Sequence, residues 1–559
     1  MSGVALNLPQ TILVHVNGNE FSVTRGTRVK AFLRRYFPDL EPLCLGAIVG
    51  NRLMDLESPI TSSCRFEPVT YASKSGARIY RATLTLMLCE AVARLYPDAK
   101  VQVGQSLGDG YYFRFFRNPP LTQENIVAIE AEMHAMQDRK EAIATLRVPT
   151  QEAIEAFESI GQTASAEIVR AMRFNTVTVA TMGKHIDLAL GPLLPTVEGI
   201  RAFKLSPYAE GMVLGFPPPH SADEAPHPPT NHGRLFSVYR ETRSWNKLLG
   251  IETVADLNRA VVSGHIREVI RVAEALHERK LVAIADNIVQ NKNTRLVLVA
   301  GPSSSGKTTT VKRLRMQMLA IGVRPKELNL DNYYVDRDQT PPDENGEPDF
   351  ECLEAIDLPL LNEHLGKLLA GETVETPRYS FVRGRRDDKT VPMTLDPGEL
   401  LLIEGIHGLN ERLTEAVPRS QKFRMYVSAL TQLSIDDHTR IFTSDARLLR
   451  RIVRDRHFRG YSAADTIRMW PKVRAGEEKH IFQFQEEADL MFNSTLVYEP
   501  PVLKVFAERF LMEVPASDPA FLEASRLLEF LDLFVPIFLD DIPGTSILRE
   551  FVGGSAFNY

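Results

Sequence analysis

Cysteine is scarce. Cys44, Cys64, Cys89 and Cys352 are the four in 559 residues; with no CxxC spacing among them, they exclude a disulfide framework and read as ordinary reduced thiols. Charge of one sign is also missing. The 65 basic residues stand against 71 acidic ones, a formal net charge of −6, so the chain as a whole is not drawn to nucleic acid or an anionic membrane. No apolar run approaches the roughly 18 residues of a membrane span. The start, MSGVALNLPQ, lacks the basic opening and apolar core of a secretory leader. The nearest challenger, LDLFVPIFLDD at 531–541, is short, holds a proline and is bounded by acids; a buried helix or docking tail is expected there. A cytoplasmic protein without a membrane partner is the expectation. No repeat of fixed period is present.

At ordinary domain sizes of about 100 to 200 residues, the length implies two to four domains. TILVHVNG at 11–18 alternates apolar and polar residues before a glycine turn, and NEFSVTRGTRV follows as a second strand, which predicts a hairpin. VKAFLRRYFP has helical spacing, and LGAIVGNRLMDLESPI returns to short strands. RIYRATLTLMLCEAVARLYP at 78–97 is apolar around much of a helix that its proline closes, and VQVGQSLGDGYYFRFF predicts strands about a GDG turn. A further helix begins after Thr122, a candidate N-cap, with Glu124 near its positive end. GFPPPHSADEAPHPPTNHG cannot build a core and reads as a linker. Residues 237–293 read as a helical connector. After Asn293, short apolar runs alternate with helices, the habit of a parallel sheet covered on both faces.

VLVAGPSSSGKTTT, 297–310, satisfies GxxxxGK[ST] between a strand and a helix. Glycines permit a tight loop with inward backbone N–H groups, the helix adds its positive end, Lys307 meets the β and γ phosphates, and Thr308 offers a hydroxyl to Mg²⁺. The loop Gly301, Pro302, Ser303, Ser304, Ser305, Gly306, Lys307, Thr308 and Thr309 is expected to hold ATP or GTP. In LLLIEGIHG, four apolar residues bring Glu404 to the end of a buried strand as a second metal-side group, although a strand-end carboxylate can also serve solubility alone. ELNLDNYY places Asp331 at the end of another strand, where it is a candidate base for an acceptor hydroxyl or a turn residue. DARLLRRIVRDRHFRGYS holds six arginines between Arg447 and Arg459, and 447, 450, 451 and 454 follow helical spacing. Guanidinium groups on one helix face suit a transferring phosphoryl group; a solvated helix or a nucleic-acid patch are the other readings.

These motifs together resemble, in order, a uridine–cytidine kinase of the P-loop superfamily over roughly residues 294–500. The resemblance implies a parallel-sheet kinase domain that uses a nucleoside triphosphate and Mg²⁺ on a small nucleoside-like substrate. It implies Asp331 as base, Tyr334 beside it, and Glu351 where the family usually has an Asp on the ribose hydroxyls. Tyr379 and Phe381 match aromatics around the base, and Arg451, Arg454 and Arg459 match lid arginines. Lys307, Arg454 and Arg459 are thus expected to be catalytic together with Asp331. Gly384 stands where a His helps read the pyrimidine edge, Tyr461 where a lid Arg is found, and Met469 where Gln is expected. A nucleoside acceptor is therefore one expectation, another small hydroxyl compound, as in the phosphoribulokinase and pantothenate kinase branches, a second, and an RNA- or translation-linked nucleotide switch a third.

The front half resembles the N-terminal region of threonyl-tRNA synthetase, a ubiquitin-like TGS domain followed by an α+β editing domain, on RLYPDAKVQVGQSLGDGYYFRF, LTQENIVAIEAEMHAM and IDLALGPLLPTVEGIRAFKL. The editing groups HxxxH and CxxxH fall on Leu86, Glu90, Ala189 and Leu193. Leucine and alanine cannot ligate a metal, so editing is not expected. The nearby His185 reads as a lone structural histidine. The expected organisation is therefore TGS-like 1–72, editing-like 73–236, connector 237–293, kinase 294–516 and tail 517–559. The tail is expected to dock on the kinase or a neighbouring subunit, a homo-oligomer is expected, and RNA is an open partner for the front half.

Overall fold

The computed structural model describes residues 9–229, 233–343, 346–380 and 383–558. The chain opens with the expected hairpin. Strand Thr11–Val16 pairs antiparallel with Asn19–Thr24; Asn17 and Gly18 both take positive φ, 49° and 82°, the twist that a two-residue turn needs to match its strands. Along Thr11–Val16 exposed and buried residues alternate strictly, and the inward face receives Phe32 and Leu33 of helix Val29–Tyr36. Strands Cys64–Thr70, Cys44–Val49 and Arg52–Met54 complete this five-stranded sheet.

Helix Lys74–Leu95 follows, capped by Ser73, whose side chain accepts the Gly76 N–H. Every residue from Thr83 to Val92 is buried, so this helix forms the centre of the next unit. Around it lie a four-stranded antiparallel sheet, with Lys100–Leu107 and Gly110–Phe116 as its hairpin, and a three-stranded sheet ending in His185–Leu188. Thr122 caps helix Gln123–Asp138 through a reciprocal pair of hydrogen bonds with Asn125.

Residues 237–293 fall largely within three helices, Gly233–Leu249, Val254–Val262 and Ile266–Gln290. They pack inward on two sides. Leu281, Ile284 and Ile288 lie against the P-loop sheet, while Leu257, Ile270 and Ala273 share one core with Ile154 and Phe157 from the front and Leu448 and Trp470 from the back. Burial of this shared apolar surface holds the two halves together.

The back half is built on five parallel strands in the order Pro325–Asn329, Leu400–Glu404, Leu296–Ala300, Lys422–Ser428 and Leu490–Asn493. Leu296–Ala300 is buried throughout, as expected for a strand covered on both faces. The register sets Glu404 beside Asn329 on one side and Val299 on the other. The chemistry-bearing loops therefore leave from one edge of the sheet.

The tail docks on the chain's own core. Leu531, Leu533, Phe534 and Ile537 are buried with helix Glu499–Met512, which accounts for the apolar run at 531–541. No helix among the described residues is long and apolar enough to cross a membrane.

Candidate active site

Gly301 meets the strand beside it so closely that a Cβ would stand 2.1 Å from the Val427 carbonyl oxygen. Gly306 takes φ +82° and ends the loop at helix Lys307–Ala320 without a capping side chain. The close approach at Gly301 and the positive φ of Gly306 each require glycine, and the uncapped start of the helix is an end that suits an anion. Lys307 Nζ lies over the loop and donates to Pro302 O at 3.1 Å. The buried hydroxyls of Ser304 and Ser305 have no hydrogen-bond partner among the described residues. This cradle suits a triphosphate.

Behind the loop lie two buried arginines. Arg447 Nε donates to Ser303 O at 3.0 Å, and its other nitrogen pairs with Glu477. Arg450 pairs with Glu499 and donates to Ser304 O at 3.3 Å. Helical spacing places these residues on one face, and that face points at loop carbonyls and buried carboxylates. Both guanidiniums shape the loop from behind. Glu477 also accepts the Ser303 N–H at 2.8 Å.

Arg451, Arg454 and Arg459 differ from them. Arg451 reaches Ser303 Oγ at 2.9 Å, and all three gather on one buried acid, Asp455, at 3.2, 2.8 and 3.7 Å. A single carboxylate thereby holds three cations near one another. Neither Asp455, Glu477 nor Glu499 was singled out from the sequence, because each sits in an unremarkable helical context and acquires its role only from residues far along the chain.

Thr308 Oγ1 donates to Glu404 Oε1 at 2.7 Å. Burial pushes the Glu404 carboxyl up to about 7; Lys307 and Thr308 oppose that shift, and Asp331 and Glu550 add to it. A hydroxyl and a carboxylate oxygen side by side are the donors a hard divalent cation takes, so Mg²⁺ fits here. Asp331 lies in a short turn just beyond strand Pro325–Asn329, its N–H held by Asn329 Oδ1 at 2.8 Å. Burial raises its pKa while Lys307, Arg459 and Arg454 oppose the rise. The turn geometry and the electropositive surroundings thus occur together at Asp331.

Glu351 packs against Gly476, where a Cβ would come within 2.6 Å of its own. Burial and then Glu477 push its carboxyl up to about 7, with Arg451 and Lys307 opposing. Tyr334 and Tyr379 stand with ring centroids 5.8 Å apart, and the Tyr379 N–H is fixed by Asn332. Phe381 lies outside the described residues. Gly384 takes φ +66°, and a Cβ there would stand 2.9 Å from Arg337 Nε. The space beside it is filled by a guanidinium.

The tail contributes a residue that the sequence did not signal. Glu550 Oε2 accepts the Thr309 N–H at 3.1 Å and the Thr309 hydroxyl at 2.6 Å. A carboxylate from helix Arg549–Val552 therefore occupies part of the anion-binding end of the P-loop helix. A cavity of about 680 Å³ lies elsewhere, between the front half and the connector helices, lined by Arg114, Arg240, Arg243 and Arg259 among acids.

Residues 296–498 match the family model described as Phosphoribulokinase / Uridine kinase family. A threonine–tRNA ligase of Methylococcus capsulatus is 34% identical over 169 residues, covering 30% of this chain and 26% of that protein. One of Symbiobacterium thermophilum is 31% identical over 197 residues, covering 34% and 30%. The chain thus spans less than a third of the length of these two curated relatives. Among solved structures, a possible uridine kinase from Bacillus stearothermophilus aligns at 17% identity and TM-score 0.27, covering 38% of this chain and 98% of that one. A D-glycerate 3-kinase from Cryptococcus neoformans aligns at 16% identity and TM-score 0.21, covering 49% and 89%. Residues 296–498 are thus similar to the phosphoribulokinase/uridine kinase family, and the N-terminal region is similar to part of the threonine–tRNA ligases.

Proposed function

We propose that the protein transfers the γ-phosphoryl group of ATP or GTP to the 5′-hydroxyl of a ribonucleoside. The observation that carries this reading is the convergence of Lys307, Arg454 and Arg459 on the electrostatics of Asp331. In this reading Asp331 accepts the hydroxyl proton while Glu351 holds the sugar hydroxyls and Tyr334 and Tyr379 line the base. Its raised proton affinity makes Asp331 a stronger base than an exposed aspartate. Lys307, Arg454 and Arg459 stabilise the charge spread over the passing phosphoryl group. Thr308 and Glu404 would hold Mg²⁺, which would supply positive charge against the phosphates.

One observation favours a second acceptor class. Arg337 occupies the space beside Gly384, and a guanidinium suits an acidic or phosphorylated polyol better than a neutral pyrimidine edge. Incubation with ATP, Mg²⁺ and a pool of nucleosides, sugar phosphates and sugar acids, followed by mass spectrometry, separates the two. A nucleoside heavier by one phosphate supports the first reading, and a phosphorylated sugar acid or sugar phosphate supports the second. No transfer to any member of the pool removes both.

A further inference from the structure

His185 is not the lone histidine that its sequence context suggests. Cys89, on helix Lys74–Leu95, His185 and Asp187, on strand His185–Leu188, and His438, in the loop between strand Lys422–Ser428 and helix Thr443–Phe458, form one group. One donor atom from each lies within 4.8 Å of every other. His185 Nε2 is 3.1 Å from Asp187 Oδ2, and His438 Nδ1 is 2.7 Å from Asp187 Oδ1. The two imidazole rings are 5.1 Å apart. We propose that these four side chains form a tetrahedral Zn²⁺ site that joins the synthetase-like front half to the kinase half.

The backbone aims the donors inward by separate devices. His185 and Asp187 are two apart on a strand and so share a face. The His185 N–H is fixed by Glu90 Oε2 at 3.0 Å. His438 sits in a tight turn whose N–H groups at 438 and 439 both donate to Asp436 Oδ1, at 3.0 and 2.7 Å. Asp436 is in turn bonded by Ser165 from the front half at 3.2 Å. Gln162 Nε2 donates to Asp187 Oδ1 at 3.3 Å and to Ile186 O at 2.9 Å. These are the supports that hold metal-binding imidazoles and carboxylates in place.

The donor chemistry selects the ion. One sulfur, two imidazole nitrogens and one carboxylate oxygen suit Zn²⁺ and not Mg²⁺, and a closed set of four protein donors marks a structural site. Donors around a tetrahedral zinc with bonds of about 2.0–2.3 Å stand roughly 3.3–3.8 Å apart, so the hydrogen-bonded pairs at 2.7 and 3.1 Å would open and the widest pairs, up to 4.8 Å, would close, by about 1 Å at most. None of the four donors stands at Leu86, Glu90, Ala189 or Leu193, and His438 belongs to the kinase half.

The full chain, purified without a metal-affinity tag and dialysed against Zn²⁺, is expected to retain about one zinc per chain by elemental analysis. Cys89→Ser and His438→Asn are each expected to lower that content at least fivefold. Replacement of zinc by Co²⁺ in the wild-type chain is expected to produce the intense visible bands of a tetrahedral ion and a thiolate-to-metal band in the near ultraviolet. The cobalt spectrum requires no variant, so a substitution that fails to fold leaves the test intact. Wild-type protein that binds no zinc, an octahedral cobalt spectrum without a thiolate band, or folded variants that keep their zinc would each overturn the proposal and leave a buried hydrogen-bonded cluster.

Discussion

Thr308 Oγ1 and Glu404 Oε1 stand 2.7 Å apart, joining the first turn of the P-loop helix to the end of the neighbouring strand. This bond puts the two oxygens expected to face the metal on one spot although their residues lie far apart in the chain. Glu404→Gln keeps the shape and removes the charge. Its apparent affinity for Mg²⁺, read from a titration of kinase activity, is expected to fall at least about tenfold. An unchanged Mg²⁺ curve would exclude Glu404 from the metal site.

A pH dependence follows from the same carboxyl. The Glu404 and Glu351 carboxyls are both pushed up to about 7 from an ordinary value of 4.5. A raised folded-state value contributes stability below about 4.5 that is lost as pH rises through about 7. Metal-free protein is therefore expected to melt at lower temperature at about pH 8 than at about pH 6, with Mg²⁺ restoring more at the higher pH. Thermal scans at both pH values with and without Mg²⁺ test this, and a Mg²⁺ effect larger at the lower pH would contradict it.

A nucleotide on the P-loop would have to displace Glu550, whose carboxylate already takes the Thr309 N–H and hydroxyl. Glu550→Ala is expected to tighten ATP binding severalfold in calorimetry, because the phosphates no longer displace a like charge. Weaker binding would show that Glu550 supports the loop.

Arg450 and Glu499 form an ion pair with both side chains buried. Removing one partner leaves a buried charge unpaired, so Glu499→Ala is expected to destabilise the chain by about 3–5 kcal/mol. Urea unfolding of the two proteins measures the difference. A loss below about 1 kcal/mol would mean that the loop carbonyls alone satisfy Arg450.

The parts of the site that lie in one contiguous stretch were legible in the sequence. The P-loop, Asp331 in LDNYY and Glu404 in LLLIEG each carry their context of strand and turn with them. Helical spacing placed Arg447 and Arg450 on one face, but spacing does not say whether a face meets a phosphate or a carbonyl. Glu550 and His438 were missed for a related reason. Each is an ordinary residue locally and acquires its partners from segments that only the folded chain brings close.

Asp331 as the base for phosphoryl transfer is tested most directly by steady-state transfer from radiolabelled ATP by wild-type and Asp331→Asn protein. The wild-type chain is expected to phosphorylate at least one acceptor. The variant is expected to bind ATP within about twofold of wild type while transfer falls by about 10²–10⁴-fold. A variant that transfers phosphate at the wild-type rate would contradict the account.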